Sequence, residues 1–208
     1  MTVMYDRYKE LSSACVSDAL KGLNNMNVLI KPMKEEYRIS GPAFTVKMPA
    51  NDNLVVLKGI GMAKPGDILI VDAKGHEHNA VAGHFVIGMA KTLGLSGVVI
   101  DGTIRDIVGI KALDFPVFCK GATVAASVKT GTGEVNVPVT CGGVVVNPGD
   151  IIVGDADGVV SVPKERAEEV LAAAQQKEQK DKERAKAVLG NGEAARCYIE
   201  RAVESSRI

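Results

Sequence analysis

The chain has 208 residues, 25 of them basic and 25 acidic. That length supports one well-cored domain or one domain with an appendage, and zero net charge gives no general basic surface for nucleic acid or an anionic membrane. Tryptophan is absent and aromatic residues make up 4% of the chain, so the core must be aliphatic.

The N-terminal "MTVMYDRYKELSS" carries charges where a signal peptide needs an apolar run, and no apolar stretch is long enough to span a bilayer. Apolar spacing predicts a helix over "YDRYKELSS" and a second over "ACVSDALKGL", with Ser12 or Ser13 as its cap. "GPAFTVKMPA" reads as a strand, because Phe44, Val46 and Met48 alternate with small or polar partners. "NLVVLKGIGMA" suits a short helix. "KPGDILIVDAKG" is a turn, a β-branched strand and a turn. "AGHFVIGMAKTLGL" has helical spacing, and the wholly apolar "SGVVIDG" after it suits a strand covered on both faces. "TIRDIVGIKALD" predicts another helix and "FPVFCKG" another strand. This is an α/β passage, for which right-handed crossovers are the default.

From "TGTGEVNVPV" to "GVVSVP" the chain is rich in Val and Gly and reads as several β-strands; "KTGTGEV" (129–135) is a turn between two of them. After residue 162 the composition changes to a long charged helix with an Ala/Leu/Val stripe, then a shorter helix over "GEAARCYIERAVESS". The expected division is an α/β domain over 1–162 and a helical extension over 163–208, packing on the same or a neighbouring subunit. Cys15, Cys119, Cys141 and Cys197 form no Cys-x-x-Cys pair, which argues for reduced thiols, as in the cytoplasm. One echo stands out: "PGDILIVDAKG" (65–75) and "PGDIIVGDADG" (148–158) share seven of eleven positions. Pro-Gly-Asp is a good turn, so the echo marks a reused turn–strand–turn unit.

All three histidines, His76, His78 and His84, lie in "GHEHNAVAGHF". Three imidazoles suit zinc. The alternative is that His76 and His78 sit on an exposed loop at a site entrance. His84 follows Gly83 at the start of a helix, where the amides of Phe85 and Val86 are free first-turn donors that favour an anion. In "GVVIDGTIRDIVG" a buried strand ends at Asp101-Gly102 and the chain then presents Arg105 and Asp106. Strand C-terminal ends are where α/β folds place ligands. A guanidinium grips a carboxylate, and a neighbouring Asp holds a hydrated Mg²⁺ or Mn²⁺. Lys74 and Lys120 read as solvated surface lysines.

Taken in order, "LSSACVSDAL", "GPAFTVK", "KPGDILIVDAKG", "GHFVIGMAKTLGLSGVVIDGTIRDI", "FPVFCKG", "VNVPVTCGGVVVNPGDIIVGDADGVVSVP" and "KERAEEVL" resemble the RraA-like superfamily. That group contains class II 4-hydroxy-4-methyl-2-oxoglutarate aldolases and RraA-type regulators of RNase E. The resemblance implies a swivelling β/β/α-type fold with a long C-terminal helix, assembled as a homotrimer or hexamer with a site between subunits. For the aldolases it implies that Asp106 ligates a divalent metal, Mg²⁺ or Mn²⁺, and that Arg105 and the amides of Phe85 and Val86 after Gly83 bind a small 2-oxo acid. It also implies that a glutamate of the C-terminal helix, Glu183 or Glu178, reaches a neighbour's metal. The chain departs from the pattern at His84, where the aldolases carry an acidic residue separated by twenty residues from the Arg-Asp pair. The implied activity is metal-dependent aldol cleavage to pyruvate, with oxaloacetate decarboxylation alongside and His84 and Arg105 as catalytic groups. The rivals are a non-catalytic ribonuclease regulator and an enzyme for another hydroxy or oxo acid.

Overall fold

The computed structural model describes residues 2–205. In chain order the helices are α1 (Thr2–Lys9), α2 (Ser13–Ala19), α3 (Leu54–Met62), α4 (His84–Thr92), α5 (Ile107–Ala112), α6 (Ala167–Val188) and α7 (Gly192–Ser205). The strands are β1 (Lys31–Pro32), β2 (Ile39–Lys47), β3 (Ile68–Asp72), β4 (Gly97–Ile100), β5 (Thr103–Ile104), β6 (Val117–Cys119), β7 (Gly121–Ala122), β8 (Glu134–Val135), β9 (Val139–Cys141), β10 (Val144–Val146), β11 (Ile151–Asp155) and β12 (Gly158–Val162).

An eight-stranded sheet runs β1-β6-β4-β3-β2-β11-β12, with β8 also on β2. Strands β6, β4, β3 and β2 are parallel neighbours, joined through α3, α4 and α5, as apolar strands alternating with helices require. The hairpin β11–β12 lies antiparallel on the other side of β2. Lys31 Nζ of β1 donates to the Asp157 carbonyl in the β11–β12 turn at 2.6 Å, and Met26 N–H to the Val159 carbonyl at 2.9 Å. The two edges of the sheet therefore approach each other and the sheet nearly closes on itself.

Period-two alternation sorts the strand side chains between cores. On β3, Ile68 and Ile70 point into the curved sheet with Ile39, Phe118, Cys141 and Ile152, whereas Leu69 and Val71 point out toward α3, α4 and α5. Phe44, Val46 and Met48 share that outer face of the parallel strands. Helix α3 lies so close to β2 that a Cβ on Gly59 would come within 2.4 Å of Val46 Cγ2. A third core forms where Ile151, Val153, Val160 and Val162 face α1, α2 and the first half of α6, through Tyr8, Val16, Leu20, Val170, Leu171 and Ala174. Beyond that half, α6 is mainly solvated, and α7 buries no residue.

Ser12 is the cap of α2, its hydroxyl accepting from Cys15 N–H at 3.2 Å. "TIRDIVGIKALD" is helical only from Ile107: Thr103 and Ile104 instead pair with Gly121 and Ala122. The break lies at a single residue. Asp106 adopts φ 64° and ψ 40°, a left-handed conformation that a helix interior excludes. The cysteines are free thiols, three of them buried, and no described helix is long and apolar enough to cross a membrane.

Candidate functional site

Above the C-terminal ends of the parallel strands, four segments lie side by side. The Ala80 amide donates to the Ala125 carbonyl at 2.8 Å, Arg105 N–H to the Ala82 carbonyl at 3.0 Å, Val128 N–H to Asn51 at 3.0 Å and Asn53 N–H to Val128 at 3.1 Å. Together they wall a cleft of about 170 Å³ lined by Ala82, Gly83, Phe85, Val86, Arg105 and Asp106, with Asn53, Ser127 and Lys129 on the remaining wall.

Arg105 and Asp106 are each about half exposed, and Arg105 Nε lies 3.9 Å from Asp106 Oδ2. The left-handed turn at Asp106 swings its carboxylate back to the start of α4, where Oδ2 accepts from His84 N–H at 3.2 Å. Gly83 makes this possible by lacking a side chain. A Cβ there would lie 2.5 Å from Asp106 Oδ2 and 3.3 Å from Arg105 Cγ. Its φ of −125° is open to any residue, so the requirement is space. The N–H groups of Phe85 and Val86, next in the first turn, have no backbone acceptor, and Phe85 itself is exposed. Their positive ends, with Arg105 and Lys129, would favour a small anion in the cleft.

Every site residue expected from the Gly83–Val86 and Arg105–Asp106 stretches thus lies at one cleft, apart from the His84 imidazole. That ring lies on α5: a Cβ on Gly109 would come within 2.9 Å of its Cδ2. Glu183 is exposed on the solvated half of α6, its carboxylate accepting from Gln179 at 2.7 Å, and Glu178 pairs with Lys182; neither lines the cleft of its own chain. His76 and His78 also stand outside it. Their rings meet edge-on at 5.8 Å, and His76 Nε2 contacts Asn79 Oδ1 at 3.0 Å. Asn79 Nδ2 in turn donates to the Ala126 carbonyl at 2.9 Å, which braces the wall.

Among the described residues no group of three His, Cys, Asp or Glu side chains is placed to hold a metal. A lone half-exposed carboxylate beside an open cleft still fits a hydrated Mg²⁺, which keeps several waters and is held through one or two carboxylates. Asp106 is that carboxylate.

Lys120 corrects the expectation of a solvated lysine. Its side chain is only 12% exposed, and Nζ lies 2.7 Å from Asp101 Oδ1, itself almost buried. Asp101 Oδ2 accepts from Gly142 N–H at 2.9 Å, so this pair ties β4 to the β9–β10 hairpin. Sequence reasoning also missed Asn53, Ser127 and Lys129, because no spacing links them to Arg105. Asp52 is the organiser of that wall: it accepts from the Thr130 hydroxyl, from Leu54 N–H at 3.2 Å and from Gly131 N–H at 2.9 Å. Those bonds, the Thr130 hydroxyl first, hold its carboxyl well below the usual range despite the opposing effect of burial.

The chain belongs to the Aldolase/RraA family, described as RraA-like, whose model matches residues 13–161. Within it, the chain is 50% identical over 200 residues to a Halalkalibacterium halodurans protein named "Putative 4-hydroxy-4-methyl-2-oxoglutarate aldolase", covering 96% of this chain and 95% of that one. Two solved structures have the same fold. One is RraAS2 of Streptomyces coelicolor, described as an unusual member of the RNase ES inhibitor RraA family, with TM-score 0.76, 29% identity, and 86% and 94% of the two chains covered. The other is the RNA-processing inhibitor RraA of Thermus thermophilis, with TM-score 0.68, 29% identity, and 74% and 93% covered.

Proposed function

We propose that this protein is a class II pyruvate aldolase that cleaves a 4-hydroxy-2-oxo acid to pyruvate, dependent on Mg²⁺ or Mn²⁺ and able to decarboxylate oxaloacetate. The observation that carries this reading is the convergence of Arg105, Asp106, Lys129 and two free helix amides on one small cleft. The name of the Halalkalibacterium relative supports it.

Arg105 binds the carboxylate of the 2-oxo acid in two-pronged fashion, with Lys129 adding charge. The amides of Phe85 and Val86 donate to the oxygens that gain negative charge as the C–C bond breaks. Donors fixed in place before reaction are usually the largest electrostatic contribution to catalysis. Asp106, oriented by the His84 amide, would hold the divalent metal, which would supply positive charge to the same oxygens. Aldol cleavage also needs a base for the hydroxyl proton. The His84 imidazole, which packs on Gly109 next to the cleft without lining it, is assigned that role, because an imidazole nitrogen can accept a proton. Decarboxylation of oxaloacetate yields the same pyruvate enolate without that deprotonation. The active form is a cytoplasmic homotrimer or hexamer, in which Glu183 of a neighbouring subunit would reach the metal.

The Thermus and Streptomyces relatives give a second reading, a regulator that binds a ribonuclease. The cleft, with Arg105 and Asp106 side by side in it, favours the enzyme. The deciding experiment assays oxaloacetate decarboxylation and 4-hydroxy-4-methyl-2-oxoglutarate cleavage with Mg²⁺, Mn²⁺ or EDTA, for wild type and Asp106→Ala. Activity that needs both metal and Asp106 is the expected result. Inactivity of folded wild type with every metal would sink the aldolase reading.

A further inference from the structure

Lys129 lines the cleft, yet it stands exposed in the Gly- and Thr-rich turn "KTGTG". A long side chain on such a turn occupies one place only if its backbone is held, because ordering it costs entropy. Two anchors hold it. Before Lys129, Val128 N–H donates to the Asn51 carbonyl and Asn53 N–H to the Val128 carbonyl. After it, every bond to the turn converges on Asp52. Asp52 Oδ1 accepts from Leu54 N–H at 3.2 Å and from Thr130 N–H at 3.1 Å, tying the turn to the start of α3. Oδ2 accepts from Gly131 N–H at 2.9 Å, from Thr132 N–H and hydroxyl at 3.2 Å each, and from the Thr130 hydroxyl. Gly131 and Gly133, with φ 94° and 124°, let the chain curl around that carboxylate as other residues could not.

Asp52 is 3% exposed and does not line the cleft itself. Its negative charge behind the wall of an anion site opposes anion binding, so its benefit to the site must come through what it holds. We infer that Asp52 is a positioning residue for substrate binding: it clamps the Thr130–Thr132 turn and so keeps the Lys129 ammonium in the cleft. This role rests on the aldolase reading, in which Lys129 adds charge beside Arg105 at the carboxylate of the 2-oxo acid. That carboxylate keeps its charge while the C–C bond breaks. Lys129 therefore favours substrate and transition state equally, and its loss raises KM rather than lowering kcat. Asp52 acts on the same constant, through Lys129.

The test is a double-mutant cycle read as KM and kcat for oxaloacetate decarboxylation and for 4-hydroxy-4-methyl-2-oxoglutarate cleavage, with the preferred metal. The four proteins are wild type, Lys129→Met, Asp52→Asn and the double variant. Asp52→Asn keeps the shape of the side chain, but its NH₂ faces the Gly131 and Thr132 amides, donor against donor. Each single variant is expected to raise KM about five- to tenfold with kcat within about twofold of wild type, and the double variant to match Lys129→Met alone. Should Asp52→Asn fail to fold, Thr130→Val removes one bond to the carboxylate and takes its place, with a smaller rise in KM. An unchanged KM in the Asp52 or Thr130 variant overturns the positioning role, as does a lower one, the sign expected from losing a negative charge alone. A fall confined to kcat overturns it too, and so does a further rise in KM when the substitution is added to Lys129→Met, since Asp52 would then act independently of Lys129. Each of these leaves the aldolase reading intact. Wild type inactive on both substrates overturns both.

Discussion

Strands β3 and β11 begin from nearly the same eleven residues, and locally they fold alike. In both units the Asp of Pro-Gly-Asp accepts from the amide three residues earlier, Lys64 on Asp67 at 2.7 Å and Asn147 on Asp150 at 2.8 Å. The glycines between, Gly66 and Gly149, share a left-handed φ near 90°. Both strands end in an Asp that accepts from the amide two residues on, Lys74 on Asp72 and Asp157 on Asp155, each at 3.0 Å. Both then pair with β2, one on each side, parallel for β3 and antiparallel for β11. Their fates differ beyond that point. After Asp72 the chain rises into the histidine loop and the cleft. Asp155 turns straight into β12, and its carboxylate receives Ser13 N–H at 2.8 Å and the Ser13 hydroxyl at 2.6 Å, docking α2. The same local code thus serves a site on one side of β2 and a scaffold on the other. The segment after each strand, a long loop or a tight hairpin turn, makes the difference.

That contrast can be broken at five places. The largest effect is expected on the cleft side: Asp106→Ala should lower both activities roughly a hundred- to a thousandfold while thermal melting stays near wild type. Gly83→Ala should come next, because the added methyl displaces the same carboxylate. After it ranks the buried Lys120–Asp101 pair. Lys120→Met leaves Asp101 unpaired and should cost about 3–5 kcal/mol by denaturant unfolding. On the scaffold side, Ser13→Ala removes one buried bond and should cost about 1–2 kcal/mol, with kcat/KM unchanged; a large loss of activity there would erase the distinction between the two units. The smallest effect is acidic. Because the folded carboxyl of Asp52 titrates below its unfolded value, its stabilisation is complete above the ordinary carboxylate range and is lost as pH falls below it. Hydrogen-exchange protection factors of residues 129–133, corrected for intrinsic exchange, should therefore fall below about pH 4 in wild type, and Asp52→Asn should abolish that dependence.

The sequence by itself determined the elements and their order. Alternation at Phe44, Val46 and Met48, the apolar runs of β3, β4 and β11, the cap at Ser12 and the glycine turns are all local, so they could be read without partners. It also brought Gly83, Phe85, Val86, Arg105 and Asp106 to attention, because strand ends and helix starts carry local signals and the motif order resembles a family. Only the tertiary structure decided the rest. The left-handed turn that shortens α5 and aims Asp106 at Gly83 depends on contacts between segments well apart in the chain. Lys120 is buried because Asp101 waits across the sheet, although its flanking residues suggest a turn lysine. Asn53, Ser127 and Lys129 reach the cleft through backbone pairing between distant loops, and Asp52 holds that wall by bonds to residues nearly eighty positions away. Periodicity records which face of an element is buried, but not which distant loop will supply the donor that a buried polar atom needs. That is settled only when the sheet curls and its loops meet.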